Sequence, residues 1–206
     1  MKVLLLNGSP NAKGCTYTGL HIIEEELNAL GIETELYHVN RVKGGCLDCN
    51  YCRKNGVCVY DDDVNKVRKL MDDCDGLILG SPVYYAGING SFKAFLDRLF
   101  HAYGSAPFRH KFAAAISSSR RAGNLTTFDA LNKYFLISEM TVIGSSYWND
   151  IHGNTPEEVL QDEEGVTVMR QIAVNMAYYL RLKELGKKEG IEIPERLPRK
   201  YTNFIR

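Results

Sequence analysis

The fold class of this chain follows from Lys2-Val3-Leu4-Leu5-Leu6-Asn7, a stretch that Gly8-Ser9-Pro10 follows directly. A short continuous apolar run that ends in turn residues is typical of a strand buried on both faces of a sheet. The apolar residues from Leu20 to Leu30 then recur at helical spacing, and Gly31 stands where a helix C-cap is expected. A buried strand followed by an amphipathic helix is the first unit of an α/β fold.

The same alternation continues along the rest of the chain. Four more strands are predicted at Glu33–Val39, Gly76–Ser81, Phe112–Ile116 and Met140–Gly144. Five strands that alternate with helices predict a three-layer sandwich, whose parallel sheet has the order 2-1-3-4-5 and is covered on both faces. A ligand then binds beyond the carboxyl ends of the strands. No repeat or linker divides residues 1–206, so we expect a single domain with an irregular C-terminal tail at 186–206.

Composition excludes several classes of function. Lys plus Arg and Asp plus Glu both number 25, so no net charge attracts nucleic acid or an anionic membrane. The apolar run near the N-terminus is shorter than the roughly 7–15 residues of a signal-peptide core. No later stretch approaches the roughly 18 apolar residues of a membrane span. We therefore expect a cytoplasmic protein with no nucleic-acid or membrane partner, in a compartment where thiols stay reduced.

The loop from Gly8 to Thr16 joins the first strand to the first helix. Its small and hydroxyl residues would let backbone N–H groups converge on an anion at the positive end of the helix, with Ser9 and Thr16 as further donors. The loop has neither a Walker P-loop nor a dinucleotide fingerprint. An ordinary strand-to-helix turn with Thr16 as N-cap is the alternative.

A second loop, Ser81-Pro82-Val83-Tyr84-Tyr85-Ala86-Gly87, follows the third strand. In the order 2-1-3-4-5 that strand lies beside the first, so both loops meet at one edge. An aromatic loop there can lie along a planar ring while its amides bind the polar edge of the ring. The alternative is that Tyr84 and Tyr85 pack on the surface.

These loops resemble those of the NADPH-dependent FMN reductase family, in particular its iron–sulfur flavoprotein branch. The motifs that carry the resemblance are Gly8-Ser9-Pro10, Gly14-Cys15-Thr16, Ser81–Gly87, Phe92–Arg98, Tyr147-Trp148-Asn149, His152-Gly153 and Asp162–Gly165. The resemblance covers most of the chain and implies a flavodoxin-like fold, an FMN cofactor and a flavin-dependent oxidoreductase.

The resemblance also implies which residues hold the flavin. The expected phosphate ligands are Ser9, Asn11, Cys15 and Thr16. The expected ring contacts are Pro82, Val83, Tyr84 and Tyr85, with Gly87 allowing close approach. The stretch Ser117–Gly123, with Ser118 and Ser119, is the expected third flavin-facing loop. No catalytic side chain is predicted, because hydride transfer to a flavin needs no dedicated base; for His152 a structural hydrogen bond is expected.

The remaining motif is a cysteine-rich loop at residues 44–60, in which four cysteines have the spacing C-x2-C-x2-C-x5-C. They are Cys46, Cys49, Cys52 and Cys58. Three thiolates at successive x2 spacings can wrap one face of an iron–sulfur cube and the fourth completes its ligation, which predicts a [4Fe–4S] cluster. The ending differs from the ferredoxin C-x3-C-P and resembles the compact motif of the iron–sulfur flavoproteins. A zinc site, disulfides and a loop without a stable cluster are the alternatives.

Together the two sites predict a converter between two-electron and one-electron partners, since a flavin exchanges electrons in pairs or singly and a cluster carries one at a time. The expected partners are NAD(P)H or a ferredoxin-like carrier. A cluster-free NAD(P)H-dependent reductase of FMN, quinones or nitro compounds is one rival. A zinc-binding interaction module is the other. By analogy with the family, we expect a homodimer or homotetramer.

Overall fold

The computed structural model describes residues 1–198, 200–202 and 204, and within them seven strands and seven α-helices alternate along the chain. The strands are β1 Lys2–Asn7, β2 Glu33–His38, β3 Gly76–Tyr84, β4 Gly87–Ile88, β5 Phe112–Ser119, β6 Thr141–Val142 and β7 Asp150–His152. The helices are α1 Cys15–Ala29, α2 Tyr51–Asn55, α3 Asp63–Leu70, α4 Gly90–Tyr103, α5 Asn124–Ile137, α6 Pro156–Val159 and α7 Glu163–Lys188. A short 3₁₀ turn, Met71–Asp73, follows α3.

The strands form one sheet with the order β2-β1-β3-β5-β6, and the neighbours along this path are parallel. Counted along this path alone, the strands have the predicted order. The number of strands differs from the prediction of five, because the sheet contains two additional short strands. Strand β4 turns back antiparallel to the end of β3, and β7 lies parallel to the second half of β5.

Strand β1 shows why the sheet needs cover on both faces. Val3 and Leu5 pack with α1 and α7 on one side, whereas Leu4 and Leu6 pack with α3, α4 and α5 on the other. All four side chains are fully buried. A central strand without an exposed face places its loops, and whatever they bind, at the carboxyl edge of the sheet.

Helix α7 packs along α1 and runs three residues into the segment expected to be irregular. Its N-cap is Asp162, whose carboxylate accepts a hydrogen bond from Gly165 N at 3.0 Å. Residues 191–198 contain no helix or strand, and residues 199, 203, 205 and 206 of the predicted tail lie outside the described residues. None of the described helices is long and apolar enough to cross a membrane.

Candidate functional site

A cavity of about 400 Å³ opens at the carboxyl edge of the sheet, where β1, β3 and β5 end. The residues that line it are Ser9, Asn11, Gly14, Cys15, Thr16, Pro82, Val83, Tyr84, Ser118, Ser119, Arg120, Gly153, Asn154 and Pro156. They come from the last residues of β3 and β5 and from the segments that follow β1, β5 and β7, so the parallel topology brings these distant parts of the chain together.

The loop after β1 is shaped by side chains that bond its own backbone. The buried Asn7 accepts from Ser9 N at 3.0 Å and donates to Ala12 O at 3.2 Å. Ser9 Oγ accepts from Asn11 N at 3.1 Å, and Asn11 Oδ1 accepts from Lys13 N at 3.2 Å. These Asx-type turns keep the loop compact. The loop therefore reaches α1 as a preformed cradle.

The N-terminus of α1 faces this cradle with its donors available. Gly14 is the N-cap, no side chain caps the helix and its first turn contains no acidic residue. Thr16 Oγ1 and Ser118 Oγ share a hydrogen bond of 2.7 Å, which ties α1 to the end of β5. An uncapped helix N-terminus beside hydroxyl groups is suited to a phosphate group.

Gly8 allows the cradle to lie close to α4. A Cβ atom at Gly8 would come within 2.2 Å of the ring of Phe92, which is buried on α4. A contact that short is sterically forbidden, so any larger residue would displace the loop or the helix. Gly8 is thus required by the packing of this loop against α4.

The loop after β3 is a tight β-hairpin. Val83 pairs with Ile88 and Tyr84 with Gly87, which leaves Tyr85 and Ala86 as the two turn residues. Their φ angles are 51° and 54°, the left-handed pair of a type I′ turn, which Asn-Gly usually occupies. Tyr85 is fully exposed at the tip. Such a rigid turn fixes Pro82, Val83 and Tyr84 along one wall of the cavity.

The loop after β5 forms the opposite wall. Gly123 has a φ of 92°, and a Cβ there would lie 2.7 Å from Val83 Cγ1, so the two loops are in close contact. Ser119 Oγ donates to Asn124 Oδ1 at 2.6 Å, which anchors the loop to the start of α5. Arg120 follows at the mouth and supplies the cavity with a positive charge.

Cys15 lies on the rim of the cavity, and His152 directly precedes the rim residue Gly153. Burial raises the pKa of the Cys15 thiol, which donates to Gly153 O at 3.5 Å, so it remains protonated at neutral pH. His152 Nδ1 lies 3.4 Å from Asp162 Oδ2, and the same carboxylate accepts from His152 N at 2.7 Å. The Asp162 carboxylate holds the His152 backbone in place, and a structural hydrogen bond from the imidazole stays a prediction.

The cysteine loop lies between β2 and α3, with the short helix α2 inside it. Cys46 and Cys49 are exposed, Cys52 and Cys58 are partly buried, and all four line one small pocket. Among the described residues, no three His, Cys, Asp or Glu side chains are arranged to hold a metal ion. The structure thus gathers the four predicted ligands at one pocket without closing them around a single point.

Arg98 of α4 reaches this pocket from the core. Its guanidinium is 1% exposed, and it donates to both carboxylate oxygens of Asp62, at 2.6 and 2.9 Å. Nη2 also donates to Cys58 Sγ at 3.1 Å and Nη1 to Gly44 O at 3.3 Å. Burial opposes ionisation of Asp62, but the bonds from Arg98 and from backbone N–H groups outweigh it and lower the pKa of Asp62. Arg98 is therefore a charged donor to a cysteine sulfur in a dry environment.

The base of the cysteine loop is braced against the phosphate cradle. Asp63 Oδ2 accepts from the backbone N–H groups of Asn40 and Arg41, at 3.0 and 2.8 Å. His38, the last residue of β2, donates from Nε2 to Ser9 O at 2.9 Å. The two loops therefore share one rigid foundation at the ends of β1 and β2.

The family model described as NADPH-dependent FMN reductase matches residues 1–155. The chain belongs to the NADPH-dependent FMN reductase family. It is therefore a flavin-dependent oxidoreductase of the FMN type.

A curated relative extends the match beyond the family segment. The iron-sulfur flavoprotein of Methanocaldococcus jannaschii is 33% identical over 199 residues, which cover 88% of this chain and 98% of the relative. Because 88% of this chain is aligned, the similarity extends beyond residue 155, where the family match ends.

Solved structures confirm the flavodoxin-like fold. RosB with bound 8-demethyl-8-formylriboflavin-5'-phosphate has a TM-score of 0.72 at 14% identity and covers 100% of this chain and 92% of its own. A WrbA-like flavodoxin from Agrobacterium tumefaciens has a TM-score of 0.62 at 15% identity, covering 88% and 97%. At such identities the likeness shows the fold alone.

Of the eleven flavin-site residues predicted from the FMN reductase family, nine line the cavity. The other two are Tyr85, at the hairpin tip, and Gly87, whose added Cβ would touch only Tyr84 O at 3.6 Å. The expected loop Ser117–Gly123 contains Arg120, although Arg120 was not named as a contact residue, and sequence reasoning missed Asn154 and Pro156. A basic residue directly after the serine run of β5 was the available signal for Arg120. The short strand β7, which positions Gly153, left no periodic signal.

Proposed function

We propose that this FMN reductase family member holds FMN in the carboxyl-edge cavity and a [4Fe–4S] cluster on Cys46, Cys49, Cys52 and Cys58. It would then exchange electrons between a nicotinamide donor and a one-electron carrier of the ferredoxin type. When bound, the flavin supplies exchange of electrons in pairs or singly, and the cluster supplies exchange of single electrons.

The chain's own residues fit the flavin. The α1 N-terminus with Ser9 and Thr16 offers donors to the phosphate, and Arg120 adds positive charge at the rim. Pro82, Val83 and Tyr84 offer an apolar wall to the ring. The exposed Trp148, whose ring contacts Phe128, adds apolar surface that a carrier protein can touch.

Arg98 carries the proposal for the cluster. The buried guanidinium of Arg98 donates to the sulfur of Cys58 at 3.1 Å, so a charged donor already faces one of the four proposed cluster ligands. Arg98 Nε is also buried and has no hydrogen-bond partner within the described residues, so one donor remains for a further acceptor. Asp48 N donates to Cys46 Sγ at 3.5 Å. Hydrogen bonds to cysteine sulfur are among the features that tune iron–sulfur sites.

Oxygen-free purification followed by iron, zinc, acid-labile sulfide and FMN analysis tests the proposal. We expect about four iron and four sulfide per FMN, the stoichiometry of one cube. Cys52→Ser is expected to lose the iron and the broad visible absorption while it retains FMN. Cys74→Ser, at a cysteine outside the motif, is the matched control and is expected to keep both.

The cluster-free reductase remains a second candidate, favoured by the open arrangement of the four thiols. It predicts FMN without iron and an NAD(P)H oxidation rate that Cys49→Ala leaves unchanged. Zinc in place of iron supports a structural role for the loop. All six cysteines are free thiols in the structure, and we propose the reducing cytoplasm as the compartment.

A further inference from the structure

His38, the last residue of β2, has both of its ring nitrogens paired. Nε2 lies 2.9 Å from Ser9 O, and Nδ1 lies 3.3 Å from the side-chain amide nitrogen of Asn40. A carbonyl oxygen can only accept and an amide NH₂ group can only donate, so Nε2 carries the proton and Nδ1 accepts. Asn40 therefore holds the imidazole in the neutral tautomer that donates to Ser9 O.

The carbonyl that His38 bonds belongs to an unusual peptide group, because Pro10 follows Ser9. Proline has no backbone N–H, so the peptide between these two residues can offer an anion only the negative end of its carbonyl dipole. The bond directs that carbonyl toward His38, which is not among the described residues that line the cavity. The one acceptor in this peptide is thus occupied by a donor outside the cavity.

The other polar groups of Ser9 leave one donor for a ligand. Ser9 N donates to Asn7 Oδ1 at 3.0 Å, and Ser9 Oγ accepts from Asn11 N at 3.1 Å. The hydroxyl hydrogen remains, and it has no acceptor within the part of the chain that the structure describes. Ser9 is buried and lines the cavity together with the uncapped start of α1. A buried hydroxyl in this position needs an acceptor from a bound group.

We propose that His38 is a positioning residue that makes the cavity selective for a phosphorylated flavin over the same flavin without its phosphate. It acts through Ser9 O, by keeping the carbonyl away from the phosphate and the Ser9 hydroxyl directed into the cavity. Without this bond the carbonyl loses its partner, and the loop must shift to hydrate it, which displaces the hydroxyl. The inference rests on the flavin half of the proposed function and does not depend on the cluster.

Titration of the flavin-free, full-length protein with FMN and with riboflavin tests the inference, since riboflavin has the same ring but no phosphate. His38→Leu is expected to weaken FMN binding by about three- to tenfold, the contribution of one hydrogen bond, and to change riboflavin binding by less than about twofold. His38→Gln should keep most of the selectivity, because its amide can donate from a position close to that of Nε2. His21→Leu is the control, since His21 lies on α1 and bonds Glu24, and it should leave both affinities unaltered.

A second variant tests the route of the effect. Asn40→Ala should cause a smaller loss of the same selectivity and no further loss in the His38→Leu background, because Asn40 acts only through His38. Equal weakening of both flavins by His38→Leu overturns the inference, since a purely structural role would lower both affinities alike. Unchanged FMN affinity in that variant also overturns it. A wild-type protein that binds neither flavin refutes the proposed flavin site itself, and circular dichroism establishes that each variant is folded.

Discussion

Replacing Arg98 by methionine removes one side of a fully buried ion pair. Arg98 and Asp62 are each about 1% exposed on their side chains, and two hydrogen bonds of 2.6 and 2.9 Å join them. In Arg98→Met the carboxylate of Asp62 retains only the bonds from Lys43 N and Val64 N. Breaking a buried pair in this way costs about 3–5 kcal/mol, a large part of the stability of a domain.

The loss of stability comes from the unpaired carboxylate of Asp62, so removing that carboxylate should restore much of the lost free energy of unfolding. We expect Arg98→Met with Asp62→Asn to be at least about 1 kcal/mol more stable than Arg98→Met alone, because asparagine carries no buried charge and its single carbonyl oxygen can still accept from one of the two backbone N–H groups. Lys93→Met is the control on the same helix. Its partner Asp97 lies at 2.7 Å but the pair is exposed, so the expected change is below about 0.5 kcal/mol.

Urea unfolding at a fixed excess of FMN measures these differences in the free energy of unfolding. The dependence of that free energy on pH gives a second test. The pKa of Asp62 is lowered in the folded protein, so its stabilising contribution is present above the unfolded pKa of about 3.9 and is lost as pH falls through the folded value. The stability gap between wild type and Asp62→Asn should therefore shrink in acid. A loss below about 1 kcal/mol for Arg98→Met, or a double variant no more stable than the single one, would refute the reasoning.

Three further changes test separate parts of the structure. Gly8→Ala should destabilise the protein by about 1–3 kcal/mol and weaken FMN binding in a fluorescence titration, since the added Cβ overlaps the Phe92 ring. Burial raises the pKa of Cys74 to about 11, so iodoacetamide at pH 8 should label Cys74 only after the protein is unfolded. The cysteines of the loop should react at once in the cluster-free protein, and peptide mapping distinguishes the two outcomes. Tyr85→Asn with Ala86→Gly should raise the melting temperature, because both positions have positive φ and the pair stores about 1–2 kcal/mol.

Periodicity predicted the elements that are buried most completely. Strand β1 was predicted at its observed bounds, because polar residues on both sides of its apolar run mark where the strand begins and ends. Strand β3 runs three residues beyond its predicted end at Ser81. Pairing with β4 and β5 extends the strand over residues whose apolar pattern does not indicate a strand. The two added strands are two and three residues long, too short to show a period of two.

The flavin site was predictable to the extent that it lies at strand ends. Ser9, Thr16 and Ser118 each follow or end a predicted strand, and parallel topology brings strand ends together. Tyr85 was expected at the ring because it is aromatic and adjacent to Tyr84. Its direction depends on a left-handed turn, and nothing in the pair Tyr-Ala signals positive φ. Backbone conformation of this kind is set by hairpin register and not by local residue type.

The two candidate cofactor sites are joined by the rigid part of the fold. Phe92 packs under Gly8 of the phosphate cradle, and Arg98 on the same helix bonds the sulfur of Cys58. Phe92 and Arg98 are six positions apart along the helix, which corresponds to a rise of about 9 Å. The bond from His38 to Ser9 adds a second connection through the end of β2. The same arginine pairs with Asp62 at the start of α3, so one buried side chain joins α4 both to α3 and to the cysteine loop. The same helix therefore fixes the proposed flavin loop and the proposed cluster loop relative to each other, which suits the electron exchange proposed between the two sites.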